Sequence, residues 1–242
     1  MKVTGNDITR LAEIVSIANL AGIEGLVFQQ DGLASGLNPD RSCALITQKA
    51  PNFGQKLGIT RVGTFKNRLN LLLNLKDLVL DAKEHERGEI SQLDFSAGKT
   101  KMSYRASASS MIKAPKEIDD ETVGICTIKL AQWNVIVQAV KSMGAKQICI
   151  ILKDDGEVVF EAADEATTDR FSISVDAPLE ILSDNFESAV HYIPTDMLTT
   201  IARAATPSGA EELAFSIGAG GTIKMMVDDC EMSIFAQINS ED

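Results

Sequence analysis

Residues 93–102 read LDFSAGKTKM, and residues 213–225 read LAFSIGAGGTIKM. Leu93, Phe95, Ser96 and Gly98 return as Leu213, Phe215, Ser216 and Gly218, each displaced by 120 residues. Thr100 and Met102 return as Thr222 and Met225 after a short insertion. Two further pairs keep nearly the same spacing: Asp31-Gly32 with Asp155-Gly156, and Ile14-Val15 with Ile136-Val137. In a chain of 242 residues this offset is close to half the length. A period of that size is longer than a solenoid unit and predicts two similar domains in tandem.

The elements around these phrases repeat in the same order. Apolar residues at Ile8, Leu11, Ala12, Val15 and Ala18 predict a helix over 7–20, with Asn6 or Asp7 as its N-cap. Strands are expected at 23–30 and 33–37 around the Asp31-Gly32 turn, then at 42–48 and 56–62. Thr64 is expected to cap a second helix with Phe65, Leu69, Leu72 and Leu73 inward, followed by strands near 77–83, 89–96 and 99–109. The second half gives a helix over 129–142 on Leu130, Trp133, Ile136, Val137 and Val140. Strands follow near 146–153, 157–162, 168–176 and 186–193. Pro194 then opens a helix with Met197, Leu198, Ile201 and Ala205 inward, and strands near 211–217, 221–228 and 230–238 end the chain. Two helices per half beside mainly antiparallel strands predict an α+β fold. The predicted division is a first domain at 1–110, a connector at 111–122 that holds Pro115 and mixed charge, and a second domain at 123–242.

Composition narrows the functions. Each half is long enough to enclose a core, and 45% apolar residues supply one. The formal charge of −11 sets the chain as a whole against nucleic acid and acidic membrane, although a basic stripe on one face can still bind a polyanion. No stretch approaches the roughly 20 apolar residues of a membrane helix, and MKVTGNDITR lacks the apolar core of a secretory signal, so the expected location is the cytoplasm. Cys43, Cys126, Cys149 and Cys230 are scattered in strand-like contexts and read as buried thiols.

Catalytic constellations are missing. The two histidines are His85, in the charged turn KEHERGE, and His191, in a strand where a structural role is expected. No nucleophile elbow, phosphate loop, zinc-protease pair or dinucleotide fingerprint occurs. The GAGG of 218–221 lies between two strands, so it reads as a hairpin turn. The carboxylates of Asp119, Asp120 and Glu121, and of Asp228 and Asp229, fall in the connector and a turn, where solvated charge is expected and no metal site. The residues therefore predict a non-enzyme without cofactor.

The order of elements resembles one family. The stretch LAEIVSIANLAGIEGLVFQQDGLASGLNPDRSCALITQ is similar to the opening of DNA polymerase sliding clamps, in which a helix leads to a strand, a D-G turn, a short apolar strand, a polar turn and a strand like Cys43-Ala44-Leu45. LGITRVGTFKNRLNLL at 57–72 resembles that family's strand and second helix. KLAQWNVIVQAV and YIPTDMLTTIARAA fill the matching places in the second half, and SIFAQINSED resembles the last strand and acidic tail. Two domains per chain look like the trimeric clamps of eukaryotes, archaea and some bacteriophages. Few aromatic residues and a divergent connector favour a viral clamp in a bacterial host cytoplasm.

The resemblance implies a homotrimeric ring around duplex DNA, bound without regard to sequence, which tethers a DNA polymerase and is placed by a clamp loader. Strand 99–109 of one copy is then expected to pair with strand 168–176 of the next. The helices would face DNA, with Arg10, Lys66, Asn67, Arg68, Asn70, Asn74, Lys129, Lys141, Lys146 and Arg203 as lining candidates: a polar, weakly basic face. A partner-peptide pocket carried over from the family would use Leu37, Cys43, Met111, Ile112, Ile234 and Phe235. The apolar pair Met111-Ile112 either receives a partner or pins the connector to its own domain. Two rival readings stay open on the residues: a tandem-domain enzyme with an unrecognised carboxylate site, and a monomeric clamp-like polymerase accessory protein. The second needs a stronger basic face, because a monomer traps nothing topologically.

Overall fold

The computed structural model describes residues 2–84, 88–115, 117–163, 169–176, 178–183, 186, 188–199, 211–227, 230–235 and 237–239. The chain divides into two compact units, Met1–Glu117 and Ile118–Asp242, and the division falls within the 111–122 stretch.

In the first unit the order is β1 (Lys2–Thr4), α1 (Asn6–Leu20), β2 (Gly25–Phe28), β3 (Ala34–Leu37), β4 (Cys43–Thr47), β5 (Leu57–Thr60), α2 (Val62–Leu73), β6 (Val79–Glu84), β7 (Ile90–Ala97) and β8 (Thr100–Arg105). These strands form two antiparallel arrays, ordered β1-β6-β7-β8 and β4-β3-β2-β5. In the second unit come β9 (Thr122–Lys129), α3 (Leu130–Ser142), β10 (Gln147–Leu152), β11 (Val158–Ala163), β12 (Arg170–Ser174), β13 (Glu180–Ile181), β14 (Ala189–Pro194), a helical segment at 195–199, β15 (Glu212–Gly218), β16 (Thr222–Val227), β17 (Cys230–Phe235) and β18 (Gln237–Asn239). Their arrays run β12-β11-β10-β14-β18 and β13-β9-β15-β16-β17. Setting β1 on β9, β2 to β5 on β10, β11, β12 and β14, and β6 to β8 on β15 to β17 reproduces both strand orders. The two units share one α+β topology.

The duplication reaches individual hydrogen bonds. The Asp31 carboxylate accepts from the Leu33 amide at 3.1 Å, and the Asp155 carboxylate from the Glu157 amide at 3.0 Å. In both turns the next residue is a glycine with φ near the left-handed region, 85° at Gly32 and 83° at Gly156, where a side chain would be strained. Helix α1 ends with the amide of Ile23 on the Ala18 carbonyl, and α3 ends with the amide of Ala145 on that of Val140.

The quoted phrase itself pairs unlike strands. Leu93 and Phe95 lie on β7, whereas Leu213 and Phe215 lie on β15, the counterpart of β6. The two phrases are different hairpins of equivalent sheets. They match because buried residues alternate in the same way before a glycine turn in each. The true repeats are the D-G turns and the Ile-Val pairs of α1 and α3.

Helix boundaries depart from expectation in small ways. Gly5, not Asn6 or Asp7, occupies the N-cap of α1. Helix α2 starts at Val62 behind Arg61, two residues before Thr64, and buries Val62, Phe65, Leu69 and Leu72 while Leu73 stays 37% exposed. Gly63 allows close packing of the two helices: a Cβ there would stand 2.7 Å from Oδ1 of Asn19 on α1. Phe65 then stacks on Tyr104 of β8, with ring centroids 4.5 Å apart, and contacts Phe95 of β7. Trp133 of α3 does the same work in the second unit, against Phe160 of β11 and Phe215 of β15. Residues Ile201 and Ala205 lie outside the described residues.

The connector is fastened at both ends, each within its own unit. Ile112 sits over two glycines of the first: a Cβ on Gly25 would come within 2.9 Å of its side chain, and one on Gly58 within 3.1 Å. Ser109 bonds through its amide and hydroxyl to the Glu89 carboxylate. In the second unit Asp120 accepts from the amides of Gly220 at 2.7 Å and Thr222 at 3.0 Å, and Lys224 donates to the Ile118 carbonyl at 3.1 Å. The expectation of a purely solvated Asp120 is therefore corrected. Burial works to raise this carboxyl, but the bonds from Thr222 and Gly220, with Lys224 nearby, outweigh it and hold it below the ordinary carboxylate value. A Cβ on Gly218 would collide with the Asp120 carboxylate, which accounts for the glycine there. Gly218→Ala is expected to cost roughly 1–3 kcal/mol by overpacking. The loss in Asp120→Ala/Gly218→Ala should be smaller than the sum of the single losses, since the collision partner is gone. Chemical denaturation of the three variants measures this, and additive losses would contradict the clasp.

Candidate nucleic-acid interface

Each unit ends one sheet on a strand with an open side. The Ala106 amide donates to the Ser91 carbonyl, in register with the β7–β8 ladder, so residues 104 and 102 also bond inward. By alternation the amides and carbonyls of Lys101, Ser103 and Arg105 point away from β7. On β12 the Val175 amide donates to the Val158 carbonyl in the β11–β12 register, which leaves those of Arg170, Ser172 and Ser174 pointing away from β11. The Ser174 carbonyl accepts a 3.0 Å bond from the Gln132 side chain, as an outward group can.

A helix lies over each open edge. Phe65 sets α2 above β7 and β8, and the bond from Gln132 sets α3 above β12. On α2, Gly63, Lys66 and Asn70 share the flank that meets α1, whereas Thr64, Arg68 and Leu71 share the flank turned away from it. Asn67 and Asn74 form the crest between them, and all of these but the half-buried Gly63 and Lys66 are exposed. On α3, Gln132, Val135 and Ala139 share the β12 flank, with Gln138 on the crest and Lys141 beyond it. Lys129 is exposed immediately before the helix.

Two lining candidates are placed elsewhere. The Arg10 guanidinium is turned to the end of β4, with Nε on the Lys49 carbonyl at 3.1 Å, Nη2 on Thr47 at 3.4 Å and Nη1 on the Glu13 carboxylate at 3.1 Å. It fastens α1 to the sheet, and its charge is matched by Glu13. Lys146 lines a cavity of about 450 Å³ with Cys149, Glu161, Ser172 and Tyr192. That row faces away from α3, because Phe160, the neighbour of Glu161 on β11, is the residue that meets Trp133. Sequence spacing gave no sign of either placement. Arg203 lies outside the described residues.

Of the pocket candidates, Cys43 is fully buried and Ile234 is 1% exposed, so both are core residues. Burial, with Asp40 adding to it, pushes the Cys43 thiol up to about 12. Leu37 and Ile112 are half-buried, Phe235 is 36% exposed, and Met111 is 80% exposed. The connector pair therefore splits: Ile112 pins, and Met111 is free. Among the described residues no group of three or more metal-binding side chains is found, and no helix is long and apolar enough to cross a membrane.

No protein-family model matches the chain, and no curated protein matches it by sequence. Its fold is nevertheless that of known clamps. The proliferating cellular nuclear antigen (PCNA) of Entamoeba histolytica is 13% identical with a TM-score of 0.71, over 99% of this chain and 98% of that one. PCNA of Thermococcus kodakaraensis is 13% identical with a TM-score of 0.69, over 98% and 99%. A. fulgidus PCNA bound to the C-terminal region of FEN-1 is 14% identical with a TM-score of 0.66, over 96% and 97%. At these identities the likeness establishes a two-unit clamp fold spanning the whole chain.

His191 on β14 is 2% exposed, and its Nδ1 has no hydrogen-bond partner among the described residues. Burial lowers its proton affinity from the ordinary 6.5, against the opposing pull of Asp120. The folded state thus favours the neutral ring, a contribution present above about pH 6.5 and lost as the pH falls below it. Unfolding midpoints recorded between about pH 7.5 and 5.5 should fall for the wild type and fall less for His191→Gln. Parallel curves would remove His191 as the cause. His85 lies outside the described residues.

Proposed function

We propose that this chain is a DNA sliding clamp: a homotrimeric ring that encircles duplex DNA and tethers a replicative polymerase. The observation that carries the reading is the pair of open edges, one on each unit, inside a fold shared end to end with clamps. An exposed row of backbone groups has to be paired or protected. Here β8 and β12 present groups of matching alternation, so β8 of one copy can continue the sheet through β12 of the next. A heterologous contact of this kind repeats around an axis and closes into a ring. Topological linkage then replaces affinity, which reconciles a chain of charge −11 with work on DNA. The ring has no catalytic activity or cofactor of its own, and an ATP-driven loader opens it. The viral assignment and a bacterial host cytoplasm belong to the same proposal.

Partner binding is proposed by analogy with the archaeal clamp that holds the C-terminal region of FEN-1. In this chain Met111 is the apolar connector residue left exposed to receive such a peptide.

Proline at Ser103 or Ser172 removes an outward amide and no bond of the chain's own ladders. Each variant is expected to fold and to sediment as a monomer, whereas Ser103→Ala and Ser172→Ala remain trimers. Trimeric proline variants would place the joint elsewhere. Protein loaded onto nicked circular DNA should be retained in high salt and released when the circle is cut. Retention on the linear form would argue for grip, as in the monomeric accessory reading.

Met111→Glu should abolish binding of a polymerase C-terminal peptide and leave the trimer intact, because an apolar anchor fully buried in a groove contributes roughly 1.5–3 kcal/mol. Titration by calorimetry measures it, and wild-type affinity would move the peptide site away from the connector.

A further inference from the structure

Charge is distributed unevenly over the helices. Helix α2 carries Lys66 and Arg68 and no acid, and α3 with the residue before it carries Lys129 and Lys141 and no acid. Helix α1 carries Asp7 and Glu13 against Arg10, whose guanidinium is already engaged by Glu13 and the end of β4. Over 195–205 the sequence offers Asp196 against Arg203. The two helices with uncompensated positive charge are therefore the two that lie over the open edges, α2 above β8 and α3 above β12.

Those helices also expose apolar side chains on the flanks that face the edges. Leu71 of α2 is 77% exposed and Val135 of α3 is 51% exposed, on the same flanks as Arg68 and Gln132 respectively. Large apolar groups so placed on charged, hydrated helices call for a covering surface. Pairing β8 with β12 of a second copy brings α2 beside that copy's α3 and covers both.

We infer that the DNA contacts of the ring are concentrated at the junctions between copies, where α2 of one copy and α3 of the next, sealed by Leu71 against Val135, form one composite seat for the sugar–phosphate backbone. This rests on the trimeric reading above. The seat takes phosphates from Lys66 and Arg68 on one copy and from Lys129 and Lys141 on the next, with Asn67, Asn74 and Gln138 as neutral donors. Neither copy holds the whole seat. The lining elsewhere is near neutral and lets the duplex pass.

Two measurements on the full-length protein test it, with sedimentation alongside. A short bis-maleimide should join copies in Leu71→Cys/Val135→Cys to covalent dimers and trimers, and join neither single variant. Anisotropy of a labelled linear duplex across a salt series should show Lys66→Gln/Arg68→Gln/Lys141→Gln binding about tenfold or more weaker, with a log–log salt slope smaller by about 1 or more. Lys113→Gln/Lys146→Gln, which also removes positive charge, should bind as the wild type does. A double cysteine variant that is trimeric but not joined overturns the proposal and leaves the ring standing. So does an unaltered salt slope in the triple variant, or an equal loss in the control pair. A monomeric wild type removes the ring and the seat together.

Discussion

An open β-sheet has to end somewhere, and its last strand carries amides and carbonyls that nothing in the sheet can bond. In this chain that constraint falls on β8 and β12. Hydrogen bonds at Ala106 and Val175 set the alternation on the two strands, so Ser103 and Ser172 both direct their backbone outward. The short, polar side chains at these positions fit strands that can accept a further neighbour, and charged residues such as Lys101 and Arg105 discourage indiscriminate pairing. The choice of partner is then a matter of matching alternation, of the helices above and of the charges beside.

The helices are held to those edges by aromatic side chains. Phe65 fixes α2 over β7 and β8, and Trp133 fixes α3 over the counterpart sheets of the second unit. Tyr104 adds a polar tie, its hydroxyl donating to the Thr60 carbonyl at 2.6 Å and accepting from the Thr60 amide at 3.1 Å. The strand that offers its edge is thereby bound to the residues that lead into α2. An interface built on β8 inherits the rigidity of the core beneath it.

Fastening of the connector follows a similar economy. Glycines at 25, 58 and 218 stand where a Cβ would press on Ile112 or Asp120. Their role is to leave room for connector side chains. Ile112 uses apolar contact at one end, and Asp120 uses two backbone amides at the other. Met111, directly before Ile112, is left exposed by the same anchoring.

The sequence by itself determined the helices, the D-G turns, the strand order of each half and the division into two similar α+β units. These follow from local periodicity and turn chemistry: Ile8 to Ala18 have one face, and Asp31 and Asp155 bond their own neighbours. It also located the polar face of α2, since Asn67, Arg68 and Asn74 are exposed wherever Phe65 and Leu69 are buried. Tertiary structure decided what depends on distant partners. Arg10 and Lys129 look alike in sequence, but the end of β4 engages only the first. Lys146 reads as a continuation of α3, yet strand alternation carries it to the opposite face of the sheet. The 93–102 and 213–225 phrases look like one element repeated, but pairing with β1 and β9 identifies them as different hairpins. Cys43 and Ile234 look like surface candidates until the sheets close over them. In each case a side chain's role is set by long-range contacts, which a periodic pattern along one segment does not encode.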